Sequence, residues 1–340
     1  GIMQACAIRA YANRWAVAAA SNVAVFTNND DGYRTASDLL AKGVKVAAII
    51  DTRVDAPDHP DAEVFAGACV IDSRGRLGLS KVKVRCADGS QRWIKCGALG
   101  VSGGWNPNVH LTCHQRGRPV WNEAIAAFVP GAVGPAGLSS AGAAAGMFST
   151  AAALASGTTA AVDSLAEIGV KAKPMTLPIT EDAPFNIKAF WHVNCKGRAW
   201  LDQQNDVTVK DVKLAHQENF QSVEHLKRYT TLGMATDQGK TSNIAGLAVM
   251  AEIAGKSIPE VGTTIYRPPY TPTAIGAFGG RSRDETFRPV RLTPSHKWAS
   301  ERGAVFVEVG MWMRAQWYPQ AGETEWRQSV DREVLATRRS

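Results

Sequence analysis

Residues 22–51 constrain what this chain can fold into more than any other stretch. SNVAVF is an apolar run of strand length, TNNDDGYRTASDLLAKG is a polar turn leading into an amphipathic helix, and VKVAAIID is a second apolar run. Strands joined through a helix run parallel, and the crossover is right-handed because a right-twisted strand packs back onto its sheet only that way. One βαβ unit therefore sets the class as α/β. Gly43 ends the helix, where a residue of positive φ is wanted. Upstream, IRAYANRWAVAAA has a mixed apolar face, and residues 1–20 read as a helix.

A loop rich in Pro and Asp, DTRVDAPDHPDAE, follows the second strand. GACVIDSRGRLGLSKVKVRCADGSQRWIKCGALGVSGG then alternates apolar and polar residues about turns at SRGR and ADGS. Period two with Gly-containing turns predicts an antiparallel β-meander. Its last run, CGALGVSGG, is apolar enough to return to a parallel sheet buried on both faces. βαβ plus meander is a FAD/NAD(P)-binding, Rossmann-like oxidoreductase layout.

The composition shifts at Met175. PMTLPITEDAP reads as a proline-rich linker, and residues 206–254 read as helices capped by Thr208 and Ser222. YRPPYTPTAIGAFGG separates this small helical unit from a tail that holds strands such as GAVFVEVGMWM and a final helix. The division expected is 1–175, the oxidoreductase domain; 176–280, linker and small helical domain; and 281–340, the start of an α+β domain.

The 340 residues suffice for two or three domains. A net charge of +7 raises nucleic acid as a partner. However, no five like charges run together and Lys and Arg are mixed with acids, so no phosphate footprint forms. The six cysteines, at 6, 69, 86, 96, 113 and 195, make no CxxC pair, and free thiols in a cytoplasmic protein are expected. Residues 131–162 carry no charge, but Ala, Gly, Ser and Thr gain little in hydrocarbon. A buried helix of the α/β domain is expected there, and no membrane span. Gly1 in place of an initiator methionine points to processing or to a start within a longer sequence.

Three places could carry chemistry. In the first turn, a dinucleotide fingerprint would want glycines at Thr27, Asn29 and Gly32, and only the helix-packing glycine is present. Asp51 stands where an acid would bind ribose. A β-carbon on Asn29 crowds a phosphate, while Asp30 and Asp31 stabilise the helix end themselves and repel pyrophosphate. The turn is expected to keep the fold with its site emptied. The second place is AGLSSAGAAAGMFSTAAALASG, where small residues lead into an Ala-rich helix. It fits close approach to a cofactor or tight helix-on-sheet packing, and both readings stay open. The third is SGGWNPNVHL, read as a β-turn, with His110, Cys113 and His114 nearby. HLTCH lacks a second ligand pair at zinc spacing, so a satisfied structural cluster is expected. No GxSxG, Walker loop or HExxH occurs, and no catalytic residue is assigned.

FTNNDDGYRTASDL, GVSGGWNPNVHL, LKRYTTLGMATDQGKTSN and RPPYTPTAIGAFGGR together resemble the α subunit of heterotetrameric sarcosine oxidase, across essentially the whole chain. The resemblance implies a subunit of an enzyme that demethylates sarcosine to glycine, with electrons passed through flavins to oxygen and the one-carbon unit captured by tetrahydrofolate. It implies NAD held by this chain at Gly142, Ala143, Phe148 and Thr150, and FMN near the contact with a β subunit. FAD would lie on that flavin-bearing partner, with smaller subunits completing the hetero-oligomer. It further implies an internal fragment, preceded by an N-terminal region and followed by most of a folate-binding aminomethyltransferase-like domain. The small helical unit resembles a cluster-binding domain in which Asp202, Gln204, Asp237 and Ser242 stand in the cysteine places. Without thiolates it holds no [2Fe–2S] cluster. Two rivals are an independent flavin- or NAD-dependent amine or opine dehydrogenase and a cofactor-free scaffold subunit.

Overall fold

Two apolar strands and their helix pull the rest of the first sheet around them. In chain order the elements are β1 (Ile2–Gln4), α1 (Ala5–Trp15), β2 (Asn22–Thr27), α2 (Asp31–Ala41), β3 (Lys45–Asp51) and β4 (Val64–Phe65). The strands β5 (Cys69–Arg74), β6 (Lys81–Arg85) and β7 (Gln91–Lys95) form the antiparallel meander, and β8 (Ala98–Ser102) returns to the first sheet. That sheet has the order β1-β8-β2-β3-β4 and is parallel throughout.

Its two faces follow from the alternation along each strand, reset in β3 by a register irregularity between Val46 and Ala48. Val23 and Val25 of β2, with Val46 and Ile49 of β3, face Ile8 of α1 and Leu39 of α2. Ala24, Ala48, Ile50 and Leu99 face Val82 and Val84 of the meander. Each fully buried Ile or Leu contributes about 1.5–3 kcal/mol relative to exposure, so the three layers hold one another.

The computed structural model describes residues 1–180, 182 and 185–340. Residues 1–20 are not a single helix. Ile2, Met3 and Gln4 pair with Leu99, Gly100 and Val101, and the helix ends at Trp15, where Ala16 turns left-handed at φ 52°. The edge of β8 supplies partners that a local pattern cannot reveal.

A hairpin of β9 (Val120–Asn122) and β10 (Ala127–Val129) precedes α3 (Thr150–Glu167). The expectation of a buried helix in this uncharged stretch fails: no residue of α3 is buried, and a 3-10 turn at Gly142–Ala145 is its main neighbour. The sheet has no face left for it, because α1 and α2 cover one side and the meander the other. Among the described residues no helix is long and apolar enough to cross a membrane.

The linker at 174–184 is described only in part, since Glu181, Ala183 and Pro184 lie outside the described residues. Beyond it come β11 (Trp200–Asp202), β12 (Val207–Thr208), α4 (Val209–Gln217), α5 (Val223–Thr230), α6 (Asn243–Ala254) and α7 (Ile258–Val261). Both predicted caps are present. Thr208 N donates to Asp211 at 2.7 Å and Ser222 Oγ accepts from His225 N at 3.2 Å. Val212, Leu226, Leu232, Val249 and Met250 form the core of these helices.

The chain divides into two compact units, 1–271 and 272–340. The second holds α8 (Ile275–Gly279), α9 (Asp284–Phe287), β13 (Arg291–Leu292), α10 (His296–Glu301), β14 (Val305–Val309), β15 (Trp312–Trp317) and α11 (Trp326–Arg339). Its sheet runs β13-β15-β14, with β14 and β15 joined through Gly310 and Met311 at positive φ.

Candidate functional site

The turn between β2 and α2 is closed by its own residues. Thr27 Oγ1 accepts from Asn29 N at 3.1 Å and donates to Asn29 O at 2.8 Å. Asn29 is fully buried; its Oδ1 accepts from Asp31 N and Ser102 Oγ, and its Nδ2 donates to Asn28 Oδ1 and Ser102 O. Gly32 packs helix on strand as expected, since a β-carbon there would stand 2.5 Å from Thr27 Cβ. Asp30 and Asp31 make no capping hydrogen bond. Asp31 instead pairs with Arg9 at 2.9 Å, and Asp30 turns to Arg53.

Asp51, the ribose-binding candidate, has no exposed surface. Its carboxylate accepts from Tyr33 Oη at 3.0 Å, from Arg53 N at 2.9 Å and from Arg53 Nη2 at 2.8 Å. Arg53 also donates through Nη1 to Asp30 at 2.6 Å. Burial alone would lower the Arg53 pKa, but hydrogen bonds to Asp51 and Asp30 outweigh it and hold the guanidinium charged. Burial, then the neighbouring Asp51, push the Tyr33 phenol up. The sequence pointed to Asp51 but not to Arg53, whose role depends on a loop folding back. A cleft of about 1330 Å³ opens beside this network, between α2, the 55–61 loop and residues 186–188.

Gly142, Ala143, Phe148 and Thr150 lie together at the start of α3. Gly142 has φ 60° and begins the 3-10 turn, its N–H donating to Ser156 Oγ at 3.2 Å. Ser149 caps α3 by accepting from Ala152 N. The next two N–H groups, of Thr150 and Ala151, each donate at 2.9 Å to the Asp182 carboxylate. Ser149 and these N–H groups hold the Asp182 carboxyl below its ordinary value. Phe148 packs edge-on against Phe185, with centroids 5.4 Å apart. The packing reading is not met, because the helix does not pack on the sheet, and its first N–H groups face an anion of the chain itself.

Three of the motifs that carried the resemblance meet at one place. The rings of His110 and Tyr270 stack at 3.9 Å and 4°, and Lys240 Nζ lies 4.3 Å from the Tyr270 centroid while donating to Tyr270 O. Tyr266 meets Tyr270 edge-on, and Tyr270 Oη donates to Asn108 Oδ1 at 3.2 Å. Gln238 closes the group by pairing with Arg267 N and O, both at 2.9 Å. The expectation of a satisfied cluster is corrected in one respect. His110 Nδ1 is buried without a hydrogen-bond partner among the described residues, and burial followed by His114 and Lys240 lowers its pKa. The ring is held by stacking. Sequence reading missed Tyr270 and Lys240, whose only signal was membership of those motifs, and Tyr266, which immediately precedes one of them.

Of the four cysteine-equivalent places, Asp202 and Ser242 meet, with Ser242 Oγ 3.4 Å from Asp202 Oδ2. Asp202 is nearly fully buried and accepts from Gln204 N, Asn205 N, Asn205 Nδ2 and Gly233 N. Burial alone would raise its carboxyl, but these donors outweigh it and hold it below the ordinary value. Gln204 bonds to Thr236, and Asp237 accepts from Gly239 N. Among the described residues no three His, Cys, Asp or Glu gather as a metal requires, and all six cysteines are unpaired.

Residues 196–281 match the Sarcosine oxidase A3 domain family. Over its whole length the chain is 42% identical to the sarcosine oxidase subunit alpha of Rhizobium meliloti (strain 1021), of which it covers 35%. It is 38% identical to the subunit alpha of Corynebacterium sp. (strain P-1), covering 37% of that relative. The chain thus spans little more than a third of the length of the curated relatives it matches. Among solved structures, L-proline dehydrogenase from P. horikoshii superposes with a TM-score of 0.58 at 19% identity, over 81% of this chain and 53% of that one. That identity carries the fold alone: Rossmann-like α/β with a parallel sheet.

Proposed function

We propose, from a similarity to sarcosine oxidase α subunits that runs the whole length of the chain, that it is the cofactor-holding scaffold part of a sarcosine oxidase-like complex. The activity would be oxidative demethylation of sarcosine to glycine in the cytoplasm, with oxygen as electron acceptor and tetrahydrofolate taking the one-carbon unit. In this reading the chain holds NAD and packs on a flavin-bearing β subunit. FMN lies at that contact, FAD on the partner, and tetrahydrofolate in a C-terminal region beyond residue 340. The three-part division at 175 and 280 belongs to the same reading.

The donors present fit a nucleotide at Gly142, Ala143, Phe148 and Thr150. The N–H groups of Thr150 and Ala151 bind an anion, the Asp182 carboxylate, which a phosphate would have to displace. A β-carbon on Gly142 would meet nothing nearer than Ala153 Cβ at 3.6 Å, so the approach is open. These residues would bind and orient, and Phe148 would shield one side from water. NAD, when bound, brings hydride-exchanging nicotinamide chemistry. No nucleophile or acid–base pair of this chain is assigned.

The test is mass spectrometry of small molecules released on denaturing the full-length protein purified with its natural companions. NAD and FMN arriving with a flavin-bearing second subunit are the expected outcome. A chain arriving alone with FAD would favour the independent dehydrogenase, and absence of any nucleotide would leave only the scaffold.

A further inference from the structure

A phosphate at a βαβ turn needs the N–H groups that open the helix. Here Asn29 N donates to Thr27 Oγ1, Asp31 N to Asn29 Oδ1, and Asp30 N to the carbonyl of Asn186 at 3.2 Å. The first two donors are consumed locally, and the third is consumed by a segment distant in sequence. That segment is bound at several further points. Ile187 forms an antiparallel bridge with Asn29. Lys188 N donates to Asn28 O at 3.0 Å, and Asn28 Nδ2 donates back to Lys188 O at 2.9 Å. Asn186 donates through both its backbone N and its Nδ2 to Asp30 Oδ2, at 2.8 and 2.9 Å. Arg53 Nη1 reaches Asn186 O at 3.1 Å. Ile187 also fills space over the Gly-Gly turn after β8: a β-carbon on Gly104 would stand 2.5 Å from Ile187 Cδ1.

We propose that residues 186–188 are a strap seated permanently on the emptied nucleotide turn, so that strap and dinucleotide phosphate exclude each other there. The strap supplies what a phosphate would have supplied, an oxygen acceptor on the Asp30 N–H. It also supplies what a phosphate cannot, N–H donors to the Asp30 carboxylate. The βαβ unit thereby becomes the anchor of the segment leading into the small helical domain. Asp30, which argues against an anion at this turn, is the residue that recruits the strap.

Hydrogen exchange on the full-length protein, purified with its natural companions, tests this. In the unaltered protein the amides of Asp30, Asn186 and Lys188 are expected to exchange as slowly as those of β2. Exchange as fast as the 55–61 loop would overturn the proposal. Lys188→Pro deletes the N–H that Asn28 accepts and is expected to speed exchange at Asp30 and Asn186 about tenfold or more. Lys188→Ala, which keeps that N–H, is expected to leave the rates unchanged. Equal rates in both variants would count against the strap. Added NADH is expected to leave peptides 27–32 and 186–188 unaltered, whatever it does at 142–151. Protection gained at 27–32 with the strap still protected would refute the exclusion.

Discussion

Arg53 joins Asp30 of the turn to Asp51 at the end of β3, and its side chain is only 7% exposed. Removing one partner of a buried ion pair leaves the other charge uncompensated, which costs roughly 3–5 kcal/mol. Arg53→Ala is therefore expected to lower the stability of the first unit by about that amount in denaturant unfolding. A loss below about 1 kcal/mol would show that water reaches Asp51. Asp202 makes the corresponding case in the helical region. Asp202→Asn turns an NH2 toward backbone N–H donors and is expected to cost about 1–3 kcal/mol. The Asp202 carboxyl is depressed in the folded state, so its contribution is present above the unfolded carboxyl pKa and is lost as pH falls through the folded value. The sequence marked Asp202 only as a missing thiolate. Asn205 is local, but that Asp202 also organises Gly233 and Ser242 depends on residues thirty to forty positions away.

At the scale of elements, local signals decide the structure where an element satisfies itself. The α4 cap is one such case: Thr208 N and Oγ1 both donate to Asp211 Oδ2 at 2.7 Å. Thr208→Ala is expected to cost about 1 kcal/mol of stability, measured by chemical denaturation. Gly32→Ala tests β2 against α2, since the added methyl meets Thr27 within a buried turn. Overpacking of that kind costs about 1–3 kcal/mol, and a neutral result would mean that the helix can slide away. Helix α3 shows where local reading ends. Its Ala-rich composition predicts a helix, correctly, but small residues carry too little surface to say what the helix packs against.

For the whole molecule, acid is the common lever on both units. In residues 272–340, hydrogen bonds from Arg332, then Ser329, hold the Glu323 carboxyl down to about 2. A depressed carboxyl stabilises above its unfolded pKa, so this contribution is expected to fade as pH falls from about 5 toward 2. Glu323→Gln should flatten that part of the acid-unfolding curve, followed by hydrogen exchange in peptides 318–335, and an unchanged curve would remove Glu323 from the account. The sequence by itself determined the βαβ unit, the meander, the helix caps and the resemblance to sarcosine oxidase α subunits. Each rests on periodicity, turn chemistry or motif identity within a few tens of residues. Tertiary structure alone decided that β1 pairs with β8, that α3 finds no sheet face, that Arg53 closes on Asp51, and that residues 186–188 take the turn. The physical reason is the same in each case. A backbone edge, a buried carboxylate or an open N–H accepts any partner of the right geometry, and only the folded chain settles which one arrives.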